Sequence, residues 1–367
     1  MRKKVKIAIV VGTRPEIIKM APIIKECCRR KIRHIVIHSG QHYTHCMSEG
    51  FFKDLGLKKP DFNLCIGSGS HPEQTAKILL RLEKYLLKEK PDVVLVEGDT
   101  NTVFASALCA AQLKIKIGHV EAGLRSFDRS MPEEINRILV DHIADFLFVP
   151  TNISRGNLLK ESVDRKKIYV TGNTIVDALY QSMQRIDSSA VLKKLNLKKS
   201  GYFLLTLHRN TNVDDKEIFS KILKGLELIS EKFNLPVVYP IHPRARKNFE
   251  KFGFSCGKNL ILTDPVGYID FLKLQKNAKL VLTDSGGVQE ETCILRVPCV
   301  TIRLNTERPE TLKVKSNILS GLDSKSILRC AVKMLKADKR WANPFGQGQA
   351  AKKTIAILEK ELIKGIN

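Results

Sequence analysis

VKIAIVVGTRPEIIK, the stretch at residues 5–19, contains a short strand, a turn and the start of a helix. Val5–Val11 is apolar and short enough for a buried strand, and Pro15 is typical of the first turn of a helix, which we expect to run to Arg30. A buried strand that leads directly into a helix is the unit from which parallel sheets covered on both faces are built. The beginning of the chain therefore predicts an α/β fold.

The same alternation of strand and helix continues through the first half of the chain. Further strands are predicted at His34–His38, Asp92–Glu97, Ile115–Val120, Phe146–Val149 and Ile168–Val170. Helices are predicted at Gln74–Lys88, Asn101–Gln112, Ile135–Ala144 and Ile153–Lys160. This order predicts a doubly wound, Rossmann-like domain at residues 1–178.

A second run of the pattern follows a polar stretch rich in Lys and Ser, and we interpret residues 178–201 as a linker. Strands are predicted at Tyr202–Leu207, Val237–Tyr239, Leu260–Leu262, Leu280–Thr283 and Val300–Ile302, and a last helix at Ala350–Ile366. We therefore expect a second Rossmann-like domain at residues 179–349 and a terminal helical segment at 350–367. Two such domains would place the carboxyl ends of their strands at a shared cleft, where ligands usually bind.

The charge of the chain favours an anionic partner. Lys and Arg number 62 and Asp and Glu 38, which gives a net charge of +24 and is compatible with nucleic acid, an anionic membrane or a phosphorylated small molecule. The apolar runs are far shorter than the roughly 20 residues that span a bilayer. No zinc-finger or RNA-recognition motif is present. We therefore expect neither a membrane nor a nucleic acid as partner.

The cysteines and histidines do not predict a metal site. The nine cysteines include no Cys-x-x-Cys motif, which favours a reducing compartment, and we expect a cytoplasmic protein. The histidines at 34, 38, 42 and 45 superficially resemble a ligand set. However, His34 and His38 lie on a predicted strand, whose rise separates them by about 13 Å.

Arg14 and Lys19 follow the first strand, at the start of the first helix. A helix N-terminus with two cations nearly on one face can hold a diphosphate. The alternative is a turn with a solvated basic pair. No Gly-x-Gly-x-x-Gly motif is present, so no nicotinamide cofactor is expected.

Carboxylates follow two later strands and open the next helix. Asp99 lies just after the strand that ends at Glu97, Glu121 lies after Val120, and Glu133 follows Pro132. Gathered near Arg and Lys, these groups suit acid/base chemistry on a phosphorylated substrate. Asp99 could alternatively be a helix cap, and Glu133 a first-turn helix acid.

The second domain offers a histidine and a glycine turn. His208 ends its first predicted strand, and a lone histidine there is often structural. Ser285, Gly286 and Gly287 lead from strand into helix, where backbone N–H groups can approach a phosphate, with Glu291 further along in reach of a ribose. The alternative is a tight strand–helix connection.

Taken in order, the motifs of the chain resemble those of the UDP-N-acetylglucosamine 2-epimerase family. The matching segments are GTRPE (12–16), SGQH (39–42), EGDT (97–100), HVEAGLR (119–125), PEEINR (132–137), TGNTIVD (171–177), DSGGVQEE (284–291) and TERPE (306–310). Each is weak alone, but the ordered set covers nearly the whole chain. The resemblance implies the two-domain fold called GT-B, with the final helix returning to the first domain, and a homodimer.

The resemblance also implies a reaction. It is the interconversion of UDP-N-acetylglucosamine and UDP-N-acetylmannosamine, by elimination of UDP to 2-acetamidoglucal and re-addition, with no cofactor. The acid/base and sugar-positioning roles fall to Asp99, Glu121, Glu133 and His208, with no single base assigned. The implied UDP-sugar contacts are Arg14, Lys19, Phe271, Ser285, Gly286, Gly287, Glu291 and Arg308.

The chain departs from the family pattern in two places. Thr211 stands where members often carry Glu, and Thr44 where the first loop usually has a second Gln. Many bacterial members bind a second UDP-N-acetylglucosamine as an activator. The residues that match parts of that regulatory site are Gln41, His42, Arg209 and His242.

Three alternatives are left open. The hydrolysing relatives release N-acetylmannosamine and UDP, and a UDP-sugar glycosyltransferase would use the same fold. A nucleic-acid or anionic-surface binder is indicated by the charge alone.

Overall fold

A computed structural model of the protein describes residues 5–40, 52–255, 257 and 259–364. It divides the chain into two compact units. Unit 1 comprises residues 1–181 and 345–367, and unit 2 comprises residues 182–344. Each unit is built on one sheet in which every strand pair is parallel, with helices in the connections. The predicted fold class, α/β with two doubly wound Rossmann-like units, is confirmed.

The sheet of unit 1 has seven strands in the order β3-β2-β1-β4-β5-β6-β7. Its strands are β1 Lys6–Val11, β2 Arg33–His38, β3 Phe62–Asn63, β4 Val93–Glu97, β5 Lys116–Val120, β6 Phe146–Val149 and β7 Ile168–Val170. All five residues from Ile7 to Val11 are fully buried, as expected for a central parallel strand covered on both faces.

The helices of unit 1 begin where their sequences carry start signals. They are α1 Arg14–Arg29, α2 His71–Glu89, α3 Asn101–Gln112, α4 Pro132–Ile143, α5 Asn152–Lys160, α6 Thr174–Ser188, whose residues from Ser182 onward belong to unit 2, and the terminal α15 Ala350–Lys364. Pro lies in the first turn of α1, α2 and α4, and the hydroxyls of Ser70, Thr100 and Thr151 cap α2, α3 and α5.

The sheet of unit 2 has six strands in the order β10-β9-β8-β11-β12-β13. Its strands are β8 Phe203–Thr206, β9 Val237–Pro240, β10 Leu260–Thr263, β11 Leu280–Thr283, β12 Cys299–Thr301 and β13 Asn317–Leu319. Its helices are α7 Val191–Lys194, α8 Asn210–Val213, α9 Lys216–Phe233, α10 Pro243–Lys251, α11 Tyr268–Asn277, α12 Gly286–Leu295, α13 Pro309–Lys313 and α14 Ser324–Leu335.

The linker predicted at residues 178–201 is wrong in its secondary structure. Most of the region is helical, since α6 runs to Ser188 and α7 follows at Val191. Ile186 and Val191 are buried, and Val191 packs with Tyr202 in an apolar cluster. The Lys and Ser residues that resembled a flexible linker lie mostly on the exposed side of these elements.

The terminal helix α15 packs within unit 1. Asp177 accepts hydrogen bonds from the backbone N–H groups of Ala350 (3.2 Å) and Ala351 (3.1 Å) at the start of α15. Near its other end, Glu359 accepts a hydrogen bond of 2.6 Å from Arg30, the C-cap residue of α1. Within the described parts of the chain, none of the helices combines the length and apolar composition that crossing a bilayer demands.

The strand order of each sheet indicates where a ligand site would lie. In unit 1 the chain runs from β1 outward to β3 and then returns to β4 on the other side of β1, and in unit 2 it does the same around β8 and β11. In open α/β sheets, ligands bind outside the carboxyl ends of the strands at such a reversal. Ligand-binding residues are therefore expected in the segments that follow β1, β4, β8 and β11.

Candidate active site

In unit 1, the segment after β1 is fixed by a buried glutamate of α1. Glu16 accepts hydrogen bonds from Gly12 N (2.7 Å), Thr13 Oγ1 (2.7 Å) and Thr100 Oγ1 (2.9 Å). Burial raises the pKa of Glu16 to about 7, although these three donors oppose the shift. Glu16 thereby ties the β1 turn to the segment after β4.

Arg14 is the first residue of α1 and lies half-buried beside that turn. Burial lowers the pKa of its guanidinium, while the charge of Asp54 opposes the shift. Arg14 is thus a cation at a helix N-terminus, as the sequence predicts. Whether it binds a diphosphate stays a prediction.

Lys19, one turn further along α1, lies among carboxylates. Its Nζ forms a short hydrogen bond and ion pair with Glu121 Oε2 and lies 3.4 Å from Glu97 Oε1. All three side chains are buried. Lys19 was predicted to hold a diphosphate, but the structure gives its ammonium group two carboxylate neighbours. The sequence could not indicate this, because Glu121 is 102 positions away.

Glu121 is held by a second donor and by its backbone. Asn173 Nδ2 donates to the same oxygen, Glu121 Oε2, at 3.0 Å, and Asn173 N in turn donates to Phe345 O at 2.9 Å. Glu121 has a φ of 67°, a left-handed conformation that costs on the order of 1 kcal/mol for a residue with a Cβ. Non-glycine residues in this conformation are concentrated at functional sites.

Asp99 follows β4 and pairs with an arginine of α4. Its Oδ2 accepts from Arg137 Nη2 (2.5 Å) and Nε (3.1 Å), and its side chain is 24% exposed. Asn136 donates to the Asp99 carbonyl at 3.0 Å. The cap of α3 is Thr100. The alternative that Asp99 is the helix cap is therefore wrong.

Glu133 and Glu134 are neighbours with different surroundings. Glu134 is buried, accepts from Ser126 N (2.9 Å) and Phe127 N (2.9 Å), and pairs with Arg137 at 2.7 Å. Glu133 is half-buried in the first turn of α4. Glu134 thus stabilises the segment before α4, while Glu133 lies where the alternative of a first-turn helix acid places it, and its acid/base role stays a prediction.

A buried histidine supports Asp99 from the next strand. His119 Nδ1 lies 2.7 Å from Asp141 Oδ1, and its Nε2 lies 2.8 Å from the carbonyl oxygen of Gly98. Burial opposes ionisation of Asp141, but His119 and Arg125 lower its pKa overall. In the sequence this histidine stands out only as part of a motif, yet it fixes the residue that precedes Asp99.

In unit 2, the segments after β8 and β11 are joined by Asp284. This buried carboxylate accepts from His208 N (3.0 Å), Arg209 N (2.9 Å) and Asn212 Nδ2 (3.1 Å), and it lies 2.8 Å from His208 Nδ1. Burial opposes both ionisations, but each group stabilises the charge of the other. The pKa of His208 is therefore raised and that of Asp284 lowered. The His208 side chain is 46% exposed, so its ring is oriented and accessible.

The glycine turn opens α12 without a side-chain cap. Ser285 is the N-cap residue and its hydroxyl makes no capping bond. A Cβ on Gly286 would lie 2.6 Å from Glu307 Oε1, whereas a Cβ on Gly287 would meet no described atom within 4 Å. The first N–H groups of an α-helix have no helical partner. This turn is therefore suited to an anion.

Arg308 lies beside the turn within a network of buried charges. Its Nε is 2.5 Å from Glu290 Oε1, and Glu307 bonds Arg303 at 2.7 Å. Burial opposes ionisation of Glu307, but Arg308 and Arg303 lower its pKa. Arg308 was predicted as a UDP-sugar contact. Its charged neighbours Arg303 and Glu290 were not identified from the sequence.

Glu291 and Phe271 lie on neighbouring helices. Glu291 accepts from Gln275 Nε2 of α11 at 2.6 Å. Burial, together with the charge of Glu291, raises the pKa of Tyr268 well above its usual value. Phe271 is half-buried and packs against the apolar cluster that contains Tyr202. The predicted contact of Glu291 with a ribose and that of Phe271 with the UDP-sugar stay predictions.

The four residues assigned to a regulatory site are only partly described. Gln41 and His42 lie outside the described residues. Arg209 Nε donates to the Asp284 carbonyl at 3.2 Å, and its Nη2 is 3.5 Å from Glu307. His242 caps α10 by accepting from Arg244 N at 3.3 Å. Among described residues, no group of three or more His, Cys, Asp or Glu side chains could hold a metal ion.

Two parallel α/β units with charged side chains at their strand ends define a GT-B-like enzyme. The sequence model of the UDP-N-acetylglucosamine 2-epimerase family matches residues 25–359. The chain belongs to this family. The prediction that it is an epimerase, an enzyme of the isomerase class, is confirmed.

Three relatives illustrate the similarity. The UDP-N-acetylglucosamine 2-epimerase of Methanococcus maripaludis is 54% identical over 96% of this chain and 98% of its own. The Methanocaldococcus jannaschii UDP-GlcNAc 2-epimerase in complex with UDP-GlcNAc and UDP is 50% identical with a TM-score of 0.92, over 97% of this chain and 99% of that chain. The UDP-2,3-diacetamido-2,3-dideoxy-D-glucuronate 2-epimerase of Pseudomonas aeruginosa is 41% identical over 97% of this chain and 99% of its own.

Proposed function

We propose that the protein reversibly converts UDP-N-acetylglucosamine into UDP-N-acetylmannosamine and keeps the product attached to UDP. The observation that carries the proposal is the set of carboxylates after β4 and β5 and at the start of α4. Asp99 pairs with Arg137, Glu121 pairs with Lys19, and Glu133 lies in the first turn of α4, so the three carboxylates have different surroundings. Relatives that are 50–54% identical to this chain are named UDP-N-acetylglucosamine 2-epimerases.

The reaction follows from the acidity of the sugar. The proton on carbon 2 is not next to a carbonyl carbon, so its direct removal would leave an unstabilised carbanion. When the bond between carbon 1 and UDP breaks, carbon 1 gains positive character and the carbon 2 proton becomes acidic. A base takes this proton, and the electron pair of the C2–H bond forms the double bond between carbon 1 and carbon 2. UDP leaves with the electrons of the C1–O bond. This anti elimination gives 2-acetamidoglucal.

Reversal on the other face completes the epimerisation. UDP adds back to carbon 1 while an acid delivers a proton to the opposite face of carbon 2. No net oxidation or reduction occurs, so the chemistry needs acids and bases rather than a redox cofactor. We assign these roles to Asp99, Glu121 and Glu133 of unit 1, and we propose His208 of unit 2 as a further acid/base group.

We assign the nucleotide to unit 2. The uncapped N-terminus of α12, with Ser285, Gly286 and Gly287, would hold phosphate through backbone N–H groups. Arg308, Glu291 and Phe271 would contact the rest of the nucleotide. We propose that Arg14 binds the diphosphate. We propose that Lys19 instead holds Glu121, because these two side chains form an ion pair.

The products of UDP-N-acetylglucosamine distinguish this proposal from its alternatives. Proton NMR should show UDP-N-acetylmannosamine accumulating to a fixed ratio with substrate, reached from either side. Free N-acetylmannosamine together with UDP would establish the hydrolysing reaction instead. No reaction with this substrate, but turnover of a UDP-diacetamido-uronate, would transfer the proposal to the substrate class of the Pseudomonas relative.

We also propose that the protein is a cytoplasmic homodimer. The cysteines in the described part of the chain are all free, in line with a reducing compartment. Leu80 and Leu87, which lie on one face of α2, are 68% and 55% exposed. Such a pair favours a protein interface. Sedimentation should show a dimer that Leu80→Glu with Leu87→Glu dissociates, and a monomeric parent protein at micromolar concentration would contradict the proposal.

A further inference from the structure

Glu97, the last residue of β4, lies in the carboxylate group of unit 1 without a role in the proposed reaction. Its side chain is 2% exposed, and its Oε1 lies 3.4 Å from Lys19 Nζ. The same ammonium group forms the short ion pair with Glu121. Two buried carboxyl groups thus face one lysine, and Glu121 is the nearer of the two.

Glu97 also differs from its neighbours in hydrogen bonding. Among the described residues, no group donates a hydrogen bond to Glu97 Oε1, although this atom is buried. Glu16 accepts from three donors, and Glu121 Oε2 accepts from Lys19 and Asn173. Burial of an ionised carboxylate without such partners costs several kcal/mol, and proteins usually avoid that cost by protonation.

We propose that Glu97 is a positioning residue that carries a proton in the resting enzyme, so that the charge of Lys19 is neutralised by Glu121 alone and Glu121 stays an anion. The inference rests on the proposed function in one respect: it assigns Glu121, rather than Glu97, as the group available to accept the carbon 2 proton. Glu97 acts through Lys19 and does not itself touch the sugar.

The charged surroundings of Glu97 agree with this assignment. Burial raises the pKa of Glu97 well above its usual value, Lys19 opposes the shift, and Glu121, Glu16 and Asp99 add to it. Lys19 and Glu16 lie on α1, Glu121 follows β5, and Asp99 follows β4 itself. Three carboxylates thus act on Glu97 against the charge of Lys19, so a further negative charge on Glu97 would be repelled.

Glu97→Gln tests the inference directly, because glutamine has the shape and neutrality of a protonated glutamate. The infrared difference between parent protein and Glu97→Gln should contain the carbonyl band of a protonated carboxylic acid at neutral pH. Glu16→Gln is the matched control, since the Glu16 band should titrate with a pKa of about 7. Absence of the Glu97 band at neutral pH would overturn the inference.

Activity against pH gives the second readout. When Glu97 ionises it competes for Lys19, so turnover of the parent enzyme should fall by about tenfold per pH unit on the alkaline side. Glu97→Gln should keep turnover within about threefold at neutral pH and lack this alkaline decline, whereas Glu97→Ala should lose activity at every pH. A Glu97→Gln enzyme slowed at every pH, with the decline unchanged, would contradict the positioning role.

Two measurements keep the outcome clear if a variant or the proposed function fails. Carbon-13 NMR of the Glu97 carboxyl carbon, assigned through its backbone in the parent protein, reports the protonation state without any substitution. An ionised carboxyl at neutral pH again overturns the inference. The spectroscopy requires no substrate, so a protein that does not epimerise UDP-N-acetylglucosamine would refute the proposed function while the protonation of Glu97 is still decided.

Discussion

The strand ends of the two units carry similar residue types in different arrangements. In unit 1, Glu97 and Glu121 both face the ammonium group of Lys19, and the charge of Glu16 acts on Glu97. In unit 2, Glu290 and Glu307 pair with arginines and Asp284 pairs with His208, each within 2.8 Å, and an uncapped helix N-terminus lies beside them. The surplus of carboxylates in unit 1 favours proton transfer. In unit 2 the charged side chains pair with one another, so the free backbone N–H groups of the helix N-terminus can hold an anion. One architecture thus supports two chemistries, set by the pairing of charges at the strand ends.

The largest effect should follow from substitutions that remove acid/base groups from unit 1. Asp99→Asn and Glu121→Gln should each lower kcat for epimerisation by about 10²–10⁴-fold, because general acid/base catalysis contributes about that much. Calorimetric UDP affinity should stay within about threefold. Glu217→Gln, at an exposed position of α9, is the control. Near-normal turnover in both variants would contradict the proposal that unit 1 carries the acid/base groups.

A smaller effect should follow from a methyl group at the glycine turn of unit 2. Gly287→Ala meets no described atom of the protein within 4 Å, so stability should not fall. Its methyl would occupy the approach of a phosphate to the helix N-terminus, and UDP affinity should drop by about tenfold, or about 1.4 kcal/mol.

Gly156→Ala in α5 is the matched control for the glycine turn, because its Cβ also meets nothing within 4 Å. It should raise helix stability by up to about 1 kcal/mol and leave UDP affinity unchanged. Equal UDP affinity in both alanine variants would place the nucleotide elsewhere.

The last prediction concerns stability against pH, where Glu16 of unit 1 and Asp284 of unit 2 should respond with opposite signs. Glu16 has a pKa raised from 4.5 to about 7, so its contribution to stability is full below pH 4.5 and is lost as the pH rises through 7. The limit is about 1.4 kcal/mol per pH unit. Asp284 has a lowered pKa, so its contribution is present above its ordinary value and is lost on acidification.

Urea unfolding between pH 4.5 and 8 measures the contribution of Glu16. The unfolding free energy of the parent protein should fall across this range more steeply than that of Glu16→Gln. Parallel pH dependences would show that Glu16 is not a raised-pKa group and would remove one member from the carboxylate surplus of unit 1.

Residue patterns predicted the elements better than the contacts between them. The helix Asn101–Gln112 and the strand Phe146–Val149 are observed with the predicted bounds, because apolar periodicity is a local property. The strands Phe62–Asn63 and Asn317–Leu319 were missed, since two or three residues at a sheet edge carry too little pattern. The helices across residues 178–201 were missed because their exposed Lys and Ser residues resemble a linker.

The candidate site divides in the same way. The residue types that follow the predicted strands are sufficient to select Asp99, Glu121 and His208 as candidates. Their partners could not be predicted, because Arg137, Lys19 and Asp284 are brought to them by packing of distant segments. Glu97 was overlooked for the same reason, since its surroundings form only when α1 and β5 are in place.

The most direct test of the central claim is the fate of the carbon 2 proton. The protein should be incubated with UDP-N-acetylglucosamine in heavy water, and deuterium should be located by NMR. We predict UDP-N-acetylmannosamine with deuterium at carbon 2, and deuterium entering the recovered substrate as equilibrium is approached. Epimer formed with the original hydrogen retained, or no epimer at all, would contradict the proposed reaction.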